Sequence, residues 1–337
     1  MQPPVLILSD EHIGSYAVIG DLLARTLHAA GIPARHCRLS AAKFSRLGGA
    51  DTVVIHNTIG PRFEPIKGHR NIAMVHHEWD RYPRAWVESL NRFTEVWVTT
   101  TFVRQTLRRS GVVVPMDVVR PALDLDPIPV RTSYRLSKPF RVFACGAPHF
   151  RKGFHLLIEG FSRAFPKRGQ AELVIHTQRG GEWAGVPANV TIDDAPLSRE
   201  GLLARYREFD LFASASLGEG LGLPVAEAIL AGVPVLTHDW GGHKDLLRTD
   251  AFFRMPHRVS PQPYCSRLDH FAPGQRCAMP DIDGIAAALR LAAASDAGVR
   301  KRMAGIAREW LLGRYGQRAV LERLRSRQRV VSLRRDS

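Results

Sequence analysis

The chain has 337 residues, 45% of them hydrophobic, and a formal net charge of +15. That length points to about two domains with sizeable cores, and no apolar run reaches the ~18 residues that a bilayer-spanning helix needs. Four cysteines, Cys37, Cys145, Cys265 and Cys277, are too few and too scattered for a disulfide framework. The opening MQPPVLILSDEH has no basic region ahead of its short apolar run, so no signal peptide and a cytoplasmic location are expected.

Residues 5–9 read as a short apolar strand, residues 12–15 as a loop, and residues 16–30 as a helix closed by Gly31. This is the β-loop-α opening of a doubly wound sheet. It lacks G-x-G-x-x-G, so a dinucleotide cofactor is not expected. Further strands are expected over 34–39, 52–57, 71–77, 96–100 and 116–120, with a helix reaching Arg109. His76, His77 and Glu78 fall at a strand's C-terminal end, where parallel α/β sheets place ligands. Adjacent histidines on a strand point to opposite faces, which argues against a shared metal.

Residues 126–139 hold Pro127, Pro129, Ser133, Ser137 and Pro139, a linker composition. A buried strand over 140–146 follows. After it come Arg151-Lys152-Gly153 and a helix over 154–165. Two adjacent cations in a βα loop suit a diphosphate, with Arg binding in a fork and Lys as a point charge. Strands are expected over 172–177 and 190–193, and Ser198 is a good cap for the next helix. The loops 178–185 and 194–198 carry nothing that names a nucleobase.

The stretch from Phe209 to Leu247 is the most informative. It reads as strand, glycine-bearing loop, helix, strand, loop, helix, with Gly218-Glu219-Gly220-Leu221-Gly222 as the loop and Gly232 closing the helix. Backbone N–H groups at Gly220, Leu221, Gly222 and Leu223 and a helix N-terminus meet there, a ready anion site. Glu219 and Glu227 flank it. Carboxylates repel phosphate but accept hydrogen bonds from hydroxyls, so a ligand carrying both phosphates and sugars satisfies the set.

EGLGLPVAEAILAGVPV, followed by GGHKD, resembles the donor site of retaining glycosyltransferases of the GT-B fold, family 4 (glycosyl transferases group 1). HHEWDRYPRAWVESLNRFTEVWVTTTFVRQTLRRSGV resembles a second region of that family. The resemblance implies an α/β protein with two Rossmann-like doubly wound domains facing a cleft. Residues 1–125 would be the acceptor side and 126–139 the linker. Residues 140–313 would hold the nucleotide sugar, and a basic helix and tail, 314–337, would cross back to the first domain.

The same resemblance assigns residues. Glu219 contacts the transferred sugar and Glu227 the donor ribose. His77, with His76 beside it, contacts the sugar, and Gly14 lets the donor phosphate approach. Lys152-Gly153 match the family, but Ala147 stands where an arginine is usual, so Arg151 is the candidate substitute. The expected catalytic set is His77, Glu219 and Lys152. The expected donor set is Gly14, His76, Arg151, Lys152, Glu219, Gly220, Leu221, Gly222, Leu223 and Glu227.

The implied activity is sugar transfer from a nucleotide sugar to a glycan, lipid-linked or other acceptor, with retention and with neither metal nor cofactor. The alternatives are a non-catalytic sugar-nucleotide or membrane-surface binding protein, or a nucleotide-sugar epimerase on the same fold. Asp124-Leu125-Asp126 and Asp281-Ile282-Asp283 are formally D-x-D, but neither follows a strand as a metal motif requires. Residues 252–280 read as a long loop, whose His257, Cys265, His270 and Cys277 lack the paired spacing of zinc ligands. The arginines from Arg314 to Arg335 admit contact with an anionic membrane surface as well as a plain solvated helix. No reading motif accompanies them, so nucleic acid is not an expected partner.

Overall fold

The computed structural model describes residues 4–10, 14–38, 51–177, 183, 185–263 and 274–326. The described residues form two compact units. One draws on Met1–Leu125 and Leu312–Ser337, the other on Asp126–Asp269 and Pro273–Leu311.

The first unit is a six-stranded parallel sheet: β1 (Val5–Ser9), β2 (Ala34–Arg38), β3 (Val53–Asn57), β4 (Arg70–Val75), β5 (Glu95–Val98) and β6 (Met116–Val118), in the order β2-β1-β3-β4-β5-β6. Its central strands are apolar runs buried on both faces, as parallel sheets covered by helices require. The helices are α1 (Gly14–Ala29), α2 (Arg84–Leu90) and α3 (Thr101–Ser110). Strand order reverses between β1 and β3, which makes that edge the switch point.

The second unit repeats the plan. Its strands are β7 (Phe140–Cys145), β8 (Ala171–His176), β9 (Val190–Asp193), β10 (Leu211–Ala213), β11 (Val235–Thr237) and β12 (Phe253–Arg254), in the order β12-β11-β10-β7-β8-β9. Its helices are α4 (Phe154–Ala164), α5 (Arg199–Arg205), α6 (Leu223–Leu230), α7 (His243–Leu246) and α8 (Ile282–Ala294). Here the order reverses between β7 and β10. Two doubly wound parallel sheets are the α/β architecture of the GT-B fold.

The chain ends with α9 (Ala297–Tyr315) and α10 (Gln317–Ser326). From Leu312 onward it belongs to the first unit. There the Tyr315 hydroxyl donates to the Thr99 carbonyl at 3.0 Å, and Val320 and Leu324 pack with Ala122. Arg323 spends its guanidinium on the carbonyls of Arg314 and Gly313, completing the end of α9. Arg327, Arg329, Arg334 and Arg335 lie outside the described residues. No helix among the described residues is long and apolar enough to cross a membrane.

Several expectations are corrected. Residues 252–280 are not one loop: besides β12 they form an antiparallel pair, β13 (His257–Pro261) and β14 (Arg276–Pro280). Prolines at both strand ends concealed it, because Pro is tolerated in such edge positions. Cys265 and His270 lie outside the described residues, and Cys277 is buried. Gly14 is not in a loop; it is the first, exposed residue of α1. Helix α2 has no counterpart among the expected elements; Pro83, just ahead of it, suits a helix start.

Both D-x-D triplets are taken up by the fold. Asp124 accepts from the Gln317 amide at 2.7 Å, and Asp281 caps α8 through the Gly284 amide at 2.7 Å. Asp126 pairs with Arg199 at 3.3 Å and Asp283 with Arg163 at 2.7 Å.

Candidate active site

The site stands on the second sheet's switch point, where the loops after β7 and β10 meet. Phe150–Lys152 form one 3-10 turn, begun by the His149 side chain, which accepts from the Arg151 amide at 3.1 Å. Gly153 ends the turn at φ +64°, and a Cβ there would lie 2.1 Å from the Ala215 carbonyl oxygen. Only glycine permits both that conformation and that approach. The Leu217 amide then donates to the Arg151 carbonyl at 2.7 Å. The cationic turn is thereby locked onto the loop that carries Glu219.

The GGHKD motif performs the same service from the other side. The Gly242 amide donates to the Glu219 carbonyl at 2.7 Å, and a Cβ on Gly242 would lie 2.3 Å from the Gly220 carbonyl oxygen. So the start of α7 lies directly on the Glu219 loop. Helix α6 begins beside it, capped by Gly222 in the left-handed region, with Pro224 in its first turn.

These backbone contacts bring three charges together. Lys152 Nζ is 2.6 Å from Glu219 Oε1, and Arg151 Nη1 is 3.1 Å from the same oxygen. Arg151 Nη1 also donates to the Gly218 carbonyl at 2.6 Å, and Ser216 Oγ donates to Glu219 Oε1 at 2.7 Å. Burial alone would raise the Glu219 carboxyl. The charges of Lys152 and Arg151 outweigh it and hold the group well below the usual carboxylate range. The sequence suggested cations for phosphate and a carboxylate for hydroxyls, each facing a ligand. In the folded chain they face each other, because buried charges are stabilised by pairing.

Glu227 sits on the fifth residue of α6, and it is held by other partners. Arg199 pairs with its Oε1, and the Tyr206 hydroxyl donates to its Oε2 at 2.7 Å. Arg199 and Tyr206 come from α5 and the turn after it, and composition gave no sign of either. A basic residue one position after a helix cap carries no motif; only the packing of α5 beside α6 reveals its use. Tyr206 Oη lies 3.2 Å from Cys145 Sγ, whose thiol burial pushes up to about 12. Cys145, Lys152, Glu219, Gly222 and His243 all line one small cavity. Glu227 does not line it, and Cys145–Tyr206 links it to that wall.

Residues 139–259 match the family model for Glycosyl transferases group 1. The match contains the whole cluster, from Arg151 and Lys152 to Glu219, Glu227 and His243. No curated protein sequence matches the chain. Among solved structures, sucrose-phosphate synthase from Thermosynechococcus elongatus is similar at a TM-score of 0.70 and 14% identity, covering 98% of this chain and 99% of its own. HepE of Anabaena, solved with UDP and glucose, is similar at 0.67 and 13%, covering 97% and 100%. TarM of S. aureus, solved as a mutant with fondaparinux, alpha-GlcNAc-glycerol and UDP, is similar at 0.64 and 15%, covering 86% of this chain. The chain spans 58% of the length of that protein. At these identities the likeness is one of fold.

Of the first unit's candidates, His76 reaches the side chains at that sheet's switch point and His77 turns away from it. Strand β4 ends at Val75, so His76 and His77 follow it, and they diverge. His76 Nε2 meets Asn57 Oδ1 at 2.9 Å, with the Tyr16 ring edge-on at 5.0 Å. His77 turns the other way, its Nε2 on the Arg81 carbonyl at 2.7 Å and its ring against Tyr82. Burial pulls the His76 imidazole down to about 4, against the pull of Glu78. Among the described residues no group of three or more His, Cys, Asp or Glu side chains is arranged to hold a metal ion.

Proposed function

We propose that the chain is a retaining glycosyltransferase that moves a sugar from a nucleotide-sugar donor to a glycan, lipid-linked or other acceptor. The observation that carries the reading is the 2.6 Å pair between Lys152 and Glu219 at the switch point of a sheet matched by the glycosyltransferase family model. Support also comes from the UDP complexes of similarly folded proteins.

The chemistry follows from an exchange of anions. A donor diphosphate brings more negative charge than one carboxylate, so it draws Lys152 and Arg151 away from Glu219 Oε1. Ser216 keeps the Glu219 side chain in place, and the freed oxygen accepts from a sugar hydroxyl. As the anomeric bond breaks, charge grows on the leaving diphosphate. Lys152, Arg151 and the N–H groups opening α6 stabilise it with little reorganisation. Glu227, already oriented by Arg199 and Tyr206, retains lone pairs for ribose hydroxyls. The sugar contact implied for His77, or for His76 beside it, belongs to the same proposal.

The test begins with melting in the presence of UDP, GDP, dTDP and ADP sugars, since a ligand that prefers the folded state raises the melting temperature. The stabilising donor is then incubated with candidate acceptors while nucleoside diphosphate release and the product anomer are followed. Saturable donor binding with no release, whatever the acceptor, would leave a binding protein and reject the enzyme. An inverted anomer would reject retention alone.

A further inference from the structure

Gly242 of the GGHKD motif seats α7 on the Glu219 loop, and the motif's histidine has a part of its own. His243 opens α7 and is 1% exposed. Its Nδ1 lies 3.2 Å from Thr237 Oγ1, and that hydroxyl donates its one hydrogen to the Ser214 carbonyl at 2.9 Å. Thr237 therefore accepts, and Nδ1 carries the proton. Burial holds the ring down at about 4, and Lys152 and Arg151 nearby push the same way against the raising effect of Glu219, so at neutral pH the imidazole is uncharged. Its Nε2 is then a bare lone pair. It is buried without a hydrogen-bond partner among the described residues.

A buried acceptor left unsatisfied is costly, and its surroundings say what satisfies it. His243 lines the same cavity as Lys152 and Glu219. Its Nε2 lies against Gly222, where a Cβ would approach it to 2.7 Å, so no side chain intervenes at the cap of α6. The cavity holds about 10 Å³, room for one water-sized group. Carbon and sulfur from Phe154, Val225, Pro224 and Cys145 make up much of the rest of the lining. The missing partner must be a small hydrogen-bond donor, near two cations that repel an ammonium. A hydroxyl fits.

We propose that His243 Nε2 accepts a hydrogen bond from one hydroxyl of the transferred sugar, making His243 a specificity-determining residue. The inference rests on the nucleotide-sugar reading above. It adds that the sugar is read by two acceptors, the Glu219 carboxylate and the neutral imidazole, so that a donor lacking that hydroxyl is rejected.

The experiment measures binding of UDP-glucose against UDP, and GDP-mannose against GDP, to the full chain and to His243→Leu and His243→Gln. If the wild-type chain binds neither of these nor a dTDP or ADP sugar, the glycosyltransferase reading falls and takes this one with it. Given wild-type binding, His243→Leu should weaken the sugar nucleotide roughly 10-fold or more. The matching diphosphate should stay within about twofold, and His243→Gln, which keeps an acceptor, should recover part of the loss. Equal weakening of both ligands marks a packing role and overturns the proposal, as does no weakening of either. Should the leucine variant fail to fold, singly deoxygenated analogues of the bound donor decide. One of them must bind the wild-type chain roughly 10-fold less well, with the gap shrinking in His243→Gln. If all bind like the parent, the cavity holds only a trapped water and the proposal is wrong.

Discussion

The two units build the same sheet and then furnish its switch point in opposite ways. In the first, Asn57 at the end of β3 is fully buried and spends its amide on Ser9 Oγ and the Tyr16 carbonyl, both at 2.7 Å, and its oxygen on His76. At its centre are uncharged side chains, with the Asp10–Arg62 pair beside them and the Glu78 carboxylate acting on His76. In the second, one carboxylate oxygen of Glu219 takes a lysine, an arginine and a serine. The Asn57 network satisfies both ends of its amide internally, without a charge. The charged corner is held by counterions that a stronger anion can claim. Under the proposed function, that difference makes the second unit the half that binds the donor and lets it go.

The sharpest way to break that contrast is Lys152→Ala. If the second corner is the diphosphate clamp, turnover should fall about 100- to 1,000-fold, the usual effect of deleting one transition-state donor. Melting should shift little, since Gly153 and the Leu217 amide still hold the turn. Near-normal transfer by the folded variant would remove Lys152 from the chemistry.

The counterpart in the first unit is Asn57→Ala. It removes the Asn57 bonds to Ser9 Oγ, the Tyr16 carbonyl and His76 Nε2 and should cost about 2 kcal/mol or more of that unit's stability. Chemical denaturation would show it. A wild-type midpoint would mean that the neutral network contributes nothing.

Acidification distinguishes the corners more gently. Burial, ahead of all other causes, lowers His76 and His243 to about 4 and His238 to about 3. Between their ordinary value near 6.5 and those figures the unfolded chain binds the extra protons, so stability falls as pH falls. Each such histidine adds a slope of about 1.4 kcal/mol per pH unit. With the lesser downward shifts of His36 and His56 in the first unit and of His155 and His257 in the second, four of the seven lie in the second unit, which should lose stability somewhat more steeply from pH 6.5 to 4. The Glu219 contribution is complete above the ordinary carboxylate value and is lost only below it, as pH falls toward the depressed folded value. Equal slopes for the two units would contradict these shifts.

The smallest expected effect is the most diagnostic of exchange. Glu219→Gln removes the anion that competes for Lys152 and Arg151. Free nucleoside diphosphate should then bind a few-fold more tightly, while sugar transfer declines. Weaker diphosphate binding, measured by calorimetry, would mean that the carboxylate orders the cations instead of occupying them.

Much of this was legible in one dimension. Apolar runs of strand length, spaced by helical periodicity and broken by glycines, are enough to specify a doubly wound sheet, and the GEGLG loop and the RKG turn announced themselves by composition. The antiparallel pair β13–β14 did not, because edge strands need no apolar alternation and tolerate proline. Arg199, Tyr206 and Ser216 were equally silent. Each is an ordinary residue for its place in the chain, and each acquires a role only through a carboxylate contributed from elsewhere.

The amino-acid order by itself determined the strand-and-helix succession, the loops that carry charge and the glycines without which those loops could not touch. Periodicity and backbone conformation are local properties, written residue by residue. Folding alone decided that Glu219 would be paired with Lys152 and Arg151 before any ligand arrives, that His76 and His77 would part company, and that the lone pair of His243 would be left facing a cavity. Those outcomes depend on which loops the sheet order sets side by side, and on the cost of burying a charge or a polar atom alone.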